Sequence, residues 1–264
     1  MFWKCVKYEL RNTFRVFLPI WGAILVLAVV NGFTLDMSEA PDGLGGFMSV
    51  AMPAFIMGVG AFAAVIFAFI YVLQRFYKGL LGDAGYLMFT LPVRTASLVG
   101  SKLLSAVVME TVSGLVALLS GIIVLSMTGA MNFTGFLRNV GEHFGEFFTT
   151  GAWLTALLAG ILMLVSAAAF NLRFYLAMAL GHLSRSHRVL VSIAAYVGIG
   201  IALSILTVTL MPSIITIDLA GETINAVLST ANGITVGSIL PELAVAAAFF
   251  FGTVVILEKK LNLE

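Results

Sequence analysis

The chain has 264 residues, 61% of them hydrophobic and 10% charged, with a formal net charge of +1. A soluble domain carries about 25% charged residues, so this composition excludes a water-soluble globule and makes the bilayer the solvent. The charges form no basic face, so no nucleic-acid partner is expected, and the single cysteine, Cys5, excludes a disulfide framework or a cysteine-based metal cluster.

In chain order, Trp3, Val6, Leu10, Phe14 and Phe17 recur every three or four residues, with Lys4, Lys7, Arg11 and Arg15 largely between them. This pattern predicts a basic amphipathic helix over residues 1–16 lying in the headgroup plane; the alternative is a solvated tail. Lys4 precedes Cys5 with no apolar signal region upstream, which argues against a lipid anchor there. Phe17–Leu35 is too long for a cleavable signal core and is expected to be a retained span. Phe47–Leu73 and Val189–Met211 are also uncharged and long enough, at roughly 20 residues, to cross a bilayer.

Leu103–Met127 and Gly151–Leu180 are as long but contain Glu110 and Arg173. One charge at the bilayer centre costs about 2.5–3.5 kcal/mol, whereas roughly fifteen apolar residues contribute about −5 to −9 kcal/mol, so insertion wins. The last run, Leu243–Leu257, is short unless Gly237 to Glu242 extends it. The expectation is an all-α, polytopic membrane protein: one domain over residues 1–264, whose six transmembrane helices occupy residues 17–257.

Orientation follows from the cations. Lys4, Lys7, Arg11 and Arg15 precede the first span, and Arg75, Lys78, Arg94 and Lys102 follow the second. Arg173, Arg185 and Arg188 mark the connection after the fourth span, and Lys259 and Lys260 the tail. Thirteen of the fourteen Lys and Arg thus fall on one side, with Arg138 opposite. The positive-inside rule then places both termini in the cytoplasm. The opposite loops are acidic. One of them carries Phe133, Phe136, Leu137, Val140, Phe144, Phe147 and Phe148 at helical spacing, which predicts a helix on the outer leaflet. Pro212 to Pro241 is too polar to span and too apolar to be simply solvated, so a re-entrant pair of short helices is expected there.

Residues 74–102 join the second and third spans on the cytoplasmic side, and they are more apolar than a connector requires. Tyr86, Leu87, Met88, Phe89 and Leu91 are interleaved with Lys78, Asp83, Arg94 and Lys102. Apolar side chains at the water side of a membrane call for a partner protein or for the headgroup layer itself. Pro92 keeps Leu91 out of the helical region and suits the start of a new helix.

Gly85-Tyr86-Leu87-Met88-Phe89-Thr90-Leu91-Pro92-Val93, followed by Ser101-Lys102-Leu103-Leu104, resembles the first cytoplasmic loop of type-2 ABC exporter permeases. The likeness is closest to the small, separately encoded permeases of Gram-positive bacteria. It covers the whole chain in layout but only about twenty residues in motif. It implies an elbow helix at the start, a re-entrant element before the last span, and a coupling helix in the 74–102 loop that docks on a separate ABC ATPase subunit. The contact would come from Lys78, Tyr86, Leu87, Phe89, Thr90 and Leu91, with Asp83 and Arg94 setting its register. It also implies a second permease subunit, identical or related, in the cytoplasmic membrane, and an amphipathic or peptide-like cargo. The alternatives are a non-transporting scaffold or sensor and an ion-coupled carrier.

No G-x-x-x-x-G-K-[ST] occurs, and Gly79, Gly82 and Gly85 near Lys78 lack the order of a phosphate-binding loop. No H-E-x-x-H occurs, and His143 lies among phenylalanines without evident co-ligands. No catalytic residue, metal site or cofactor is therefore expected; ATP and magnesium would be bound by the partner. Glu110 and Arg173 fall at similar depth from the cytoplasmic boundary, which leaves three readings: a pair, two independently snorkelling charges, or contacts to substrate. His182 and His187 flank Arg185 in a basic turn, either a second partner contact or an ordinary connection at the headgroups.

Overall fold

The computed structural model describes residues 2–34, 44–82, 85, 93–127, 132–184, 187–210 and 224–259. Among the described residues seven α-helices follow in order: α1 Phe2–Thr34, α2 Leu44–Phe76, α3 Thr95–Met127, α4 Phe133–Thr149, α5 Ala152–His182, α6 Arg188–Leu210 and α7 Ile224–Lys259. α2 runs on into a π-turn at Tyr77–Leu81. The described residues contain no strand.

Among the described residues six stretches are long and apolar enough to cross a membrane: Phe2–Phe33, Gly58–Leu81, Thr95–Met127, Ala152–His182, Arg188–Thr207 and Thr230–Lys259. The chain is thus an all-helical, multi-pass membrane protein. Backbone groups have no water to bond in hydrocarbon, so each span closes its hydrogen bonds within itself.

Two helices run further than hydropathy alone indicates. α1 has 33 residues and passes through Pro19 without interruption, so no break separates residues 2–16 from the first apolar run. At 1.5 Å per residue it is about 50 Å long against a hydrocarbon core of about 30 Å, which leaves its basic first turns beyond the apolar layer. α7 likewise joins residues 224–241 to the last span through Pro241. Residues 224–241 thus continue into the last span and form no separate helix, and residues 212–223, which hold the rest of the expected pair of short helices, lie outside the described residues. Proline forfeits one backbone bond, but such a loss is tolerated in membrane helices, where neighbouring groups re-satisfy the freed carbonyl.

The chain divides into two compact units. The first comprises residues 1–6, 73–107 and 146–264. Its core gathers the ends of helices: Phe76, Leu80 and Leu81 from the end of α2, Leu98 and Val99 from the start of α3, Leu172 and Tyr175 from α5, and Val254 and Leu257 from the end of α7. Cys5, in the first turns of α1, packs against the same cluster. These are the ends next to which the sequence places its cations. Their meeting in one core means that, within this unit, α1 and α3 start where α2, α5 and α7 finish.

The second unit comprises residues 7–72 and 108–145. Phe14 and Phe17 meet Trp21 edge-on at 5.5 and 5.8 Å, and Phe17 meets Tyr71 at 5.9 Å. The Trp21 indole N–H donates to Ser113 Oγ at 2.9 Å, and that hydroxyl donates to the Met109 carbonyl at 2.7 Å. The first of these joins two helices, and interhelical hydrogen bonds of this kind help hold spans together in lipid.

Candidate functional site

Both roots of the 74–102 loop are described, and each is built into the first unit's core. At the end of α2 the helical step lengthens by one residue: the Gly82 N–H donates to the Tyr77 carbonyl at 2.9 Å, and the Gly85 N–H then donates to the Gly82 carbonyl at 2.7 Å. π-turns of this kind are uncommon and cluster at functional positions. Leu80 and Leu81 on the turn are buried. Phe76, just before it, stacks on the Tyr175 ring with centroids 3.8 Å apart and planes 7° from parallel. The Tyr77 ring meets His182 edge-on at 5.6 Å, which brings the loop's first root onto the basic turn that ends α5.

Gly85 is buried where the chain folds back on the π-turn. A Cβ there would lie 2.6 Å from the Leu80 carbonyl oxygen and 2.9 Å from its carbon. These are backbone atoms, so no rotamer change relieves the clash. Gly85→Ala is expected to open the turn at a cost of about 1–3 kcal/mol. The measurement is limited proteolysis of the loop in membranes together with thermal stability in detergent; unchanged cleavage and stability would contradict this packing.

The second root starts at Val93, which packs on the core. The Arg94 carbonyl accepts from the Ser97 N–H at 2.8 Å and the Leu98 N–H at 3.3 Å, opening α3. Two turns on, Lys102 is only 6% exposed, and its ammonium reaches the Arg75 carbonyl at 3.5 Å. It packs over Gly79, where a Cβ would lie 2.6 Å from Nζ. A cation at the carboxyl end of α2 also meets the negative end of the helix dipole. The sequence reading counted Lys102 among the solvent-side charges, whereas here it ties the two roots of the loop together.

Of the residues expected to meet a partner, Lys78 and Arg94 are exposed, one at each root. Asp83, Tyr86, Leu87, Phe89, Thr90 and Leu91 lie outside the described residues. In the sequence Gly79 was weighed only against a phosphate loop, and Gly85 against that and as the first residue of the string resembling a permease loop. The geometry gives them a different use, letting Lys102 and the Leu80 carbonyl approach closely. Their three-residue spacing with Gly82, directly before a run of large apolar residues, was the available signal.

In the neighbouring turn the Leu183 N–H donates to the Leu180 carbonyl and the Ser184 N–H to the Gly181 carbonyl, both at 3.1 Å. His187 and Arg188 are exposed, and Arg185 lies outside the described residues. The two basic segments thus meet through Tyr77 and His182.

Arg173 is held by α6. One terminal nitrogen donates to the Tyr196 carbonyl at 3.1 Å, and the guanidinium carbon lies 4.0 Å from the centroid of the Tyr196 ring. Phe174 stacks on the same ring at 4.1 Å. A side chain at Gly200 would strike the guanidinium. A cation over an aromatic face, with a carbonyl to receive its hydrogen, is one way to keep arginine inside a span. Glu110 is half-buried on α3 in the other unit. Among the described residues no group of three or more His, Cys, Asp or Glu is placed to hold a metal ion.

Comparison with known proteins leaves the site to be read from its own geometry: no family model, curated protein or solved structure matches the chain.

Proposed function

We propose that the chain is the membrane subunit of an ATP-driven exporter of the ABC-2 type, resident in the cytoplasmic membrane with both termini in the cytosol. A separate ABC ATPase docks beneath it on the 74–102 loop. Two permease subunits, identical or related, enclose the path, and the cargo is amphipathic or peptide-like. The chain itself is not an enzyme; ATP and magnesium are held by the partner.

The observation that supports this reading best is the seating of the loop. Its roots are packed against the ends of α5 and α7 and the start of α3, with Lys102 and the Phe76–Tyr175 stack joining them. Packed cores respond to a push by changing between discrete arrangements, so a displacement of the loop moves spans with it. Closing and reopening of the ATPase pair then shifts the bundle between inward- and outward-open states.

The test is isolation of the protein from native membranes with identification of what accompanies it. A P-loop ATPase whose turnover rises when amphipathic peptides are added is the expected result. Transport by the chain alone in proteoliposomes would replace this reading with an ion-coupled carrier. An attached ATPase indifferent to every cargo would replace it with a scaffold.

A further inference from the structure

α4 lies between α3 and α5 in the chain. Its 17 residues include none that is buried. Asn132 caps its start, accepting from the Gly135 N–H at 3.1 Å, and Gly151, with φ 77, turns the chain sharply into α5. On the helix, Phe133, Phe136, Leu137, Val140, Phe144 and Phe147 fall on one stripe about 100° wide, and all are exposed. The other face carries Asn139, Gly145 and Glu146, and its one cation, Arg138, is engaged by Glu142 one turn on at 2.7 Å.

We infer that α4 is an interfacial helix seated in zwitterionic lipid by apolar insertion alone, and that this attachment needs no anionic headgroup. Three observations carry this. The helix is tethered at both ends to membrane-crossing helices, so its apolar stripe is held at the level of the bilayer surface. Trp153, in the first turn of α5, is exposed, as a residue marking the headgroup layer is expected to be. The polar face lacks the surplus of lysine and arginine that recruits helices to anionic lipid. The inference rests on the membrane assignment and not on the partner ATPase.

The test uses the full chain with Cys5→Ala, reconstituted in nanodiscs, with one spin label at a time. Phe136→Cys and Val140→Cys report the apolar face. Asn139→Cys and Gly145→Cys report the polar one, and at Gly145 a side chain meets open space. In phosphatidylcholine alone, oxygen is expected to relax the first two labels several-fold better than a water-soluble nickel chelate does. The order reverses for the other two. Adding phosphatidylglycerol or raising the salt leaves the pattern unchanged. Equal chelate access at all four positions would overturn the inference. So would a pattern that requires phosphatidylglycerol, or apolar-face labels shielded from both reagents and coupled to those of a second copy.

Discussion

Replacing Tyr86 and Leu87 together by aspartate is expected to release the proposed partner ATPase, with affinity falling about a thousandfold or more. Each apolar side chain buried in a contact is worth about 1.5–3 kcal/mol. An aspartate in its place adds the desolvation of a carboxylate. Two such changes together exceed about 4 kcal/mol, or three powers of ten in affinity. Lys78→Ala is the comparison. Lys78 is exposed at the root of the loop, and a solvated charge of that kind contributes about 0–1 kcal/mol. Binding is read as co-isolation of the ATPase from membranes holding equal amounts of each variant. Retention of the ATPase by the double variant would remove the loop from the interface.

The second large effect belongs to Tyr175. The residue is 1% exposed and stacked face to face with Phe76. It joins α5 to the last turn of α2, immediately before the loop's first root. Truncating a buried aromatic leaves a cavity in surroundings that relax only in part. Tyr175→Ala is therefore expected to cost about 3–5 kcal/mol. Tyr175→Phe keeps the stacked ring and most of the stability. Thermal unfolding in detergent, followed for both variants, separates the two outcomes. A Tyr175→Ala protein as stable as its parent would show that this stack does not hold the root.

The helices were legible because the bilayer sets a hard length requirement, and uncharged runs such as Phe17–Leu35 or Val189–Met211 satisfy it on composition alone. Their ends were not. Hydropathy falls wherever a helix leaves the hydrocarbon, whether or not the helix continues, so residues 2–16 and 224–241 read as separate elements although α1 and α7 run through them. The amphipathic α4 was readable as a helix because its phenylalanines keep a 3.6-residue period over four turns. The loop roots were the least readable part. The burial of Lys102, the stacking of Phe76 on Tyr175 and the meeting of Tyr77 with His182 depend on neighbours distant in sequence. Composition gives lysine no reason to be inside. Arg173 was noticed as a charge within a span, but its partner Tyr196 is an ordinary aromatic in an ordinary apolar run.

Thiol labelling of the loop from either side of the membrane tests the account at its base. With Cys5→Ala and Thr90→Cys in an otherwise unaltered chain, a membrane-impermeant maleimide is expected to leave intact cells unlabelled and to modify inside-out vesicles readily. Labelling of intact cells, with protection in inverted vesicles, would put the loop on the outer face, where no ATPase can reach it.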